Sequence, residues 1–194
     1  MLKRLEQKKE RRKKIMMGFV LVFLMIFSVM GIIIGQQGSE VLRYNDYKFE
    51  VVDNVYYTTI EGETKGFNYF PSELENLGLN EEILMILMNA PMIYFTFNPE
   101  SEQQDLVYID LVRKDLTDNI NKMIIDGMTT ESEIYNLPII SCENSTSYVP
   151  VIYFNQSINL SVKKVDDCIV LNAKNYDFLK LRDLLIYKIN GVME

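Results

Sequence analysis

Residues 92–125 read MIYFTFNPESEQQDLVYIDLVRKDLTDNINKMII, and their pattern predicts the fold class. Residues 92–97 form a short, mainly apolar run, which is typical of a buried strand. Residues 103–123 repeat apolar side chains at helical spacing, and residues 123–125 are apolar again. The helix face that this spacing predicts comprises Leu106, Ile109, Val112, Leu116 and Ile120. Strand, helix and strand in this order predict an α+β domain with a mixed sheet.

Alternating segments precede this unit. Residues 47–52 and 55–60 alternate apolar and polar side chains around Asp53-Asn54, which predicts a β-hairpin. Residues 65–70 are expected to add a third strand. Two short helices follow, and Asn80 is the expected N-terminal cap of the second.

Further strands and one helix are predicted after residue 125. Gly191 is expected to end the last helix and Asn175 to cap its start. Its predicted buried face comprises Phe178, Leu181, Leu185 and Ile189. The predicted strands are residues 138–142, 150–154, 160–165 and 168–172.

An uncharged run, IMMGFVLVFLMIFSVMGIIIG, occupies residues 15–35. As a helix that rises about 1.5 Å per residue it measures roughly 30 Å, about the thickness of the hydrocarbon core of a bilayer. We therefore expect one N-terminal transmembrane helix over residues 15–35, a cell-membrane location, and the lipid bilayer as a partner. A cleaved signal peptide is the alternative, although its apolar region is usually shorter and ends in a small-residue cleavage site.

The charges on either side of this run predict its orientation. Residues 1–14 contain eight basic and two acidic residues, whereas Arg43 is the only basic residue of residues 36–47. The positive-inside rule then leaves the N-terminus in the cytoplasm and exports the rest. The expected organisation is a basic cytoplasmic tail (1–14), a single-pass signal anchor (15–35), a linker (36–46) and an extracytoplasmic α+β domain (47–194).

Two short motifs within the apolar run suggest further roles. Gly31 and Gly35 form a GxxxG pair, which makes them candidates for helix packing, although Gly is frequent in membrane helices anyway. Gly18-Phe19 resembles the cleavage junction of type IV prepilins, which implies a pilus-like or secretion-system subunit. The chain departs from that pattern at Phe23, where many pilins have Glu.

Composition excludes several classes of function. Residues 36–194 contain 12 basic and 25 acidic residues, a net charge of −13, so we expect no nucleic-acid partner. The chain contains no His, which excludes Ser-His-Asp and Cys-His catalysis and His-ligated zinc. The carboxylates of Asp110, Asp115 and Asp118 match no metal-loop spacing, so a solvated helix face is the better interpretation. We expect no metal and no cofactor.

The two cysteines, Cys142 and Cys168, are predicted to form a disulfide, because both would lie in an oxidising compartment. Two free thiols and a redox pair are the alternatives. Three N-glycosylation motifs also lie close together, and their acceptors are Asn144, Asn155 and Asn159. The motif is short enough that one or two matches arise by chance in an Asn-rich chain.

Two resemblances concern larger parts of the chain. Residues 149–154 (VPVIYF), the strand pair after them and the C-terminal helix look like the second half of a thioredoxin fold, which implies a cis-Pro at Pro150. The segment 98–102 (NPESE) lacks the C-x-x-C of that family, so the resemblance implies a redox-inactive binding scaffold. The basic leader, single apolar helix and acidic domain also resemble short, N-terminally anchored archaeal proteins of unknown function.

The sequence therefore favours a non-catalytic binding or assembly domain on a membrane anchor. Its partner is expected to be a membrane protein or a second copy of the chain. The alternative is an anchored hydrolase that uses a carboxylate pair from the loop after residue 97, where Glu100, Glu102 and Asp105 are the candidates. No spacing singles out a pair, so we name no catalytic residue.

Overall fold

The computed structural model describes the backbone of residues 2–35 and 40–193, and the side chains of residues 12–28, 30 and 40–193. The chain divides into two compact units, Met1–Ser39 and Glu40–Glu194. The first unit contains a single helix, α1 (Leu2–Gly35). The described residues of the second form two sheets, four α-helices and a 3-10 turn, and they have the α+β character that the sequence predicts.

The predicted transmembrane helix is contradicted. Among the described residues, no helix is both long enough and apolar enough to cross a membrane. Helix α1 begins at Leu2, inside the basic segment, so charged and apolar residues share one helix.

The predictions that depended on the transmembrane helix are wrong for the same reason. The single-pass signal anchor, the cytoplasmic N-terminus, the cell-membrane location and the extracytoplasmic placement of the domain all followed from a helix crossing the bilayer. Gly31 and Gly35, the helix-packing candidates, lie outside the residues whose side chains are described. Gly18 and Phe19 lie inside the continuous helix α1, and Phe19 is exposed.

Sheet A is an antiparallel meander of four strands in sequence order: β1 (Glu40–Tyr44), β2 (Tyr47–Val52), β3 (Val55–Ile60) and β4 (Glu63–Phe67). The predicted hairpin is present, with Val52 paired to Val55. Asp53 and Asn54 both have positive φ, 50° and 62°, as a two-residue hairpin turn of type I′ requires. Strand β1 lies within the predicted linker 36–46, the first four residues of which are outside the described chain.

Two short helices, α2 (Pro71–Leu74) and α3 (Glu81–Asn89), connect sheet A to the second sheet. The Asn80 side chain accepts a hydrogen bond from the Glu82 amide at 3.0 Å, which confirms the predicted cap of α3.

Sheet B has five strands in the order β6-β5-β7-β9-β8. Its strands are β5 (Met92–Phe97), β6 (Met123–Asp126), β7 (Val151–Gln156), β8 (Ser161–Val165) and β9 (Cys168–Ala173). Four are parallel and only the edge strand β8 is antiparallel. Helix α4 (Gln103–Asn119) connects β5 to β6, and α5 (Asp177–Ile189) follows β9.

Two details of sheet B differ from the sequence predictions. Residues 138–142 form no strand, because Ile139 makes only an isolated bridge with Met128. Instead, the Thr96 hydroxyl donates to the Ile140 carbonyl at 2.6 Å and holds this segment across one face of the sheet. No described peptide bond is cis, so Pro150 lacks the cis bond that the thioredoxin resemblance implies.

The three layers of the second unit are sheet A, the helices and sheet B. One face of sheet B, which includes Phe95 and Phe154, packs against α4 and α5. Sheet A packs on α5 through Phe49 and Phe67, whose ring centroids lie 6.0 and 4.2 Å from that of Tyr187. Helix α5 therefore lies between two sheets, which explains why every residue from Leu181 to Tyr187 is buried.

Candidate functional site

Two charged residues of helix α5 are buried with its apolar ones. Asp183 is completely buried and Arg182 is 7% exposed. Because an unpaired buried charge is costly, both side chains need partners from the surrounding elements. These partners come from the end of strand β4 and from helix α4, so the pair lies where sheet A meets the helices.

Asp183 accepts hydrogen bonds from both neighbouring elements. Its Oδ2 atom accepts from the backbone amides of Asn68 and Tyr69, at 2.8 and 3.0 Å. Its Oδ1 atom accepts from Arg182 Nε at 2.7 Å. Burial raises the pKa of this carboxyl to about 6, although Arg182 and the two amides oppose the shift. The side chain is thus ionised at neutral pH and fixes the chain just after β4.

Arg182 connects three elements through its guanidinium group. Nη1 donates to Asp115 Oδ2 on α4 at 2.6 Å, and Nη2 donates to Asn68 Oδ1 at 2.7 Å. Burial lowers the pKa of Arg182, but Asp183 and Asp115 more than reverse this, so its pKa is raised above the usual value. The guanidinium is a permanent cation that holds α4, α5 and the end of β4 together.

A cleft of about 290 Å³ opens beside this network. Strand β4 forms one wall, and the C-terminal half of α4 forms the other. Glu63 and Lys65 have no ion-pair partner among the described residues, so both are available to a ligand. The lining residues are Glu63, Thr64, Lys65, Gly66, Phe67, Asp115, Asp118, Asn119, Arg182 and Ile186.

The three aspartates of α4 do not converge on a metal site. Asp110 accepts from Arg113 and from the Tyr135 hydroxyl, each at 2.9 Å. Asp115 pairs with Arg182, and Asp118 pairs with Lys114 at 2.8 Å. Over the described part of the chain, no group of three or more His, Cys, Asp or Glu residues could hold a metal ion.

The carboxylates proposed for hydrolysis lie at the carboxyl edge of sheet B, where ligands bind in many open α/β sheets. Glu102 pairs with Lys174 at 3.2 Å, and Glu100 is exposed. Asp105 is completely buried and accepts from the Asn175 amide. Because Asp105 has no exposed surface, it cannot reach a substrate from its position, and the three side chains do not form an open carboxylate pair.

The cysteine prediction is confirmed, because Cys142 and Cys168 form a disulfide with a Cα–Cα distance of 5.3 Å. The bond joins strand β9 to the segment 138–142, which crosses one face of sheet B. Of the glycosylation candidates, Asn144 and Asn159 are exposed, whereas Asn155 is half-buried and donates to Asn172 Oδ1 at 2.7 Å. Glycosylation stays a prediction at all three positions.

The sequence pattern did not identify the buried ion pair. It assigned α5 one apolar face, which left Arg182 and Asp183 on the side expected to face water. Adjacent opposite charges directly before the apolar run 184–187 (LLIY) were the available signal. The chain matches no protein-family model, no curated protein and no solved structure.

Proposed function

We propose that the unit from Glu40 onward is a non-catalytic binding or assembly domain and that the cleft beside β4 receives its partner. The observation that carries the proposal is the construction of this cleft. A strand edge and a helix form its walls, and a buried ion network fixes the two relative to each other. Preformed, rigid clefts with a few charged groups are typical of binding sites.

The charges of the cleft suit recognition better than catalysis. Arg182 and Asp115 are bonded to each other, so neither is a free acid, base or nucleophile. Glu63 and Lys65 are free to form ion pairs, and they lie on a regular strand that holds their spacing. Such groups select a partner by charge and position without a reaction taking place.

Site-specific photocrosslinking of the full-length protein tests this proposal. A photoreactive amino acid replaces Asn119 in the cleft, and a matched variant carries it at Val41, on the opposite edge of sheet A. Irradiation in cells that make the protein should give an adduct of defined mass from the cleft position alone. Mass spectrometry then shows whether the adduct is another protein or a second copy. Absence of an adduct at position 119, or the same adduct from both positions, contradicts the proposal.

A further inference from the structure

We infer that the free edge of β4 binds an extended peptide of net positive charge by adding it to sheet A as a fifth strand. The inference rests on the proposed function and specifies the partner that the cleft takes. Three features support it: the outward direction of some backbone groups of β4, the limited length over which its edge is open, and the net charge of the domain.

The hydrogen-bond register shows which backbone groups are free. A two-residue turn joins Ile60 to Glu63, so these residues form a hydrogen-bonded pair, and such pairs alternate along an antiparallel ladder. Glu63, Lys65 and Phe67 therefore direct their N–H and C=O groups at β3. Thr64 and Gly66 direct theirs away from it, along the wall of the cleft.

The edge is open over a limited length. Directly after β4, the amides of Asn68 and Tyr69 donate to Asp183, so this part of the chain already has an internal acceptor. Thr64 and Gly66 are exposed and lie at the outer edge of the sheet. Unpaired donors and acceptors on an edge strand are a template for another strand, and several peptide-binding domains use such an edge.

The charge of the whole domain sets the sign of the partner. Inside the cleft, Lys65 and Arg182 nearly balance the three carboxylates of Glu63, Asp115 and Asp118. The chain from residue 40 onward, however, carries 12 basic and 25 acidic residues. The field of a net charge of −13 attracts cationic chains and repels acidic ones. The opposite charges of Glu63 and Lys65 also disfavour an apolar strand at this edge.

Three synthetic peptides of seven residues, blocked at both ends, test the chemistry. One alternates Lys and Val, a second alternates Glu and Val, and a third is the Lys-Val peptide with a methyl group on every backbone nitrogen. The third keeps the positive charge but has no backbone N–H donor. Fluorescence anisotropy with full-length protein should show saturable binding of the Lys-Val peptide, with a Kd below about 1 mM. The Kd of each of the other two peptides should be at least tenfold higher. Equal binding of the three peptides, or no binding of the Lys-Val peptide, overturns the inference.

Two proline variants locate the site. Thr64→Pro removes an outward N–H from β4 and spares the bonds to β3, because edge strands tolerate proline at such positions. Val41→Pro makes the equivalent change in β1, since Tyr44 pairs with Tyr47 and the outward groups there belong to Val41 and Arg43. We expect Thr64→Pro to weaken binding of the Lys-Val peptide about two- to tenfold, the usual range for one hydrogen bond, and Val41→Pro to leave it unchanged. Equal effects overturn the assignment to β4.

Two further measurements do not depend on the proline variants folding. Amide hydrogen exchange of Thr64 and Gly66 in the wild-type protein should slow when the Lys-Val peptide is bound, whereas exchange at Val41 and Arg43 should not change. Asp118→Asn removes an exposed carboxylate of the cleft and should weaken binding more at low salt than at high salt. Unchanged exchange at Thr64 and Gly66, or a salt-independent effect, contradicts strand addition by a cationic chain.

These results separate the two proposals. A crosslinked partner at position 119 together with no preference for the Lys-Val peptide overturns the inference and leaves the binding domain intact. Failure of both the crosslink and the peptides removes the binding function as well.

Discussion

Replacing Asp183 with Asn tests whether the buried network holds sheet A on helix α5. The substitution keeps the size of the side chain but replaces one acceptor oxygen with an NH₂ donor. In the native protein Oδ2 accepts from two amides and Oδ1 from Arg182. An asparagine side chain has one acceptor oxygen, which can accept either from the two backbone amides or from Arg182. Its NH₂ group then faces donor groups at the other position.

The expected loss of stability follows from the number of groups left without a partner. If the NH₂ group faces Asn68 and Tyr69, two backbone donors are orphaned, and each costs about 1–3 kcal/mol. If it faces Arg182, a buried guanidinium loses one of its two carboxylates, and breaking a buried ion pair costs about 3–5 kcal/mol. The two arrangements together span a loss of about 2–6 kcal/mol. For a domain of this size that lowers Tm by about 4–24 °C.

Urea unfolding of the full-length protein, followed by circular dichroism, measures this loss. Asp118→Asn is the matched control, since it removes a carboxylate whose ion pair with Lys114 is exposed on both sides. The control should change the unfolding free energy by less than about 1 kcal/mol. If Asp183→Asn also changes it by less than about 1 kcal/mol with the same m value, the network does not hold the two layers together.

Three further predictions concern pH, the disulfide and helix α5. The pKa of Asp183 is raised to about 6, so the native state binds more protons than the unfolded state between pH 4 and 6, and this contribution to stability falls as pH rises through that window. The difference in unfolding free energy between wild type and Asp183→Asn should therefore shrink from pH 4 to pH 7 in urea titrations; a constant difference contradicts the shift. Replacing Cys142 by Ser and Cys168 by Ala opens a loop with a sequence separation of 26, which should cost about 3.5 kcal/mol in the chain-entropy model, and a loss below about 1 kcal/mol refutes that estimate. Tyr187→Phe removes a hydroxyl that donates to the Tyr69 carbonyl at 2.9 Å; thermal unfolding should show a loss of about 1 kcal/mol, and an unchanged Tm shows that the bond adds nothing.

Local elements with strong short-range signals were predictable from the sequence. Asp53-Asn54 tolerates the positive φ angles of a tight hairpin turn, and Asn80 supplies a side-chain acceptor for the first turn of α3. The strand-helix-strand unit from Met92 to Asp126 is present, although α4 ends at Asn119 instead of residue 123. In each case the signal lies within a few residues of the structure that it specifies.

Features that depend on distant contacts were not predictable in the same way. The ion pairs of α4 depend on such contacts, because Arg113 pairs with Asp126 of β6 as well as with Asp110 of its own helix. The apolar segment 138–142 looks like a strand, yet it crosses the face of sheet B and bonds to Thr96. The membrane prediction rested on the uncharged run 15–35 and its flanking charges, whereas no helix of the described chain is long and apolar enough to cross a membrane.

The buried pair in α5 is best explained by the position of sheet A. Apolar contacts such as those of Tyr187 with Phe49 and Phe67 hold two layers together but allow several registers, because dispersion and burial have little directionality. Asp183 adds a constraint that only one register satisfies, since its oxygen must meet the amides of both Asn68 and Tyr69. A shift of sheet A by one residue would move these donors away and leave the buried Asp183 carboxylate without them. The same constraint keeps the edge of β4 at a fixed distance from α4, so the network that defines the docking of sheet A also defines the width of the cleft.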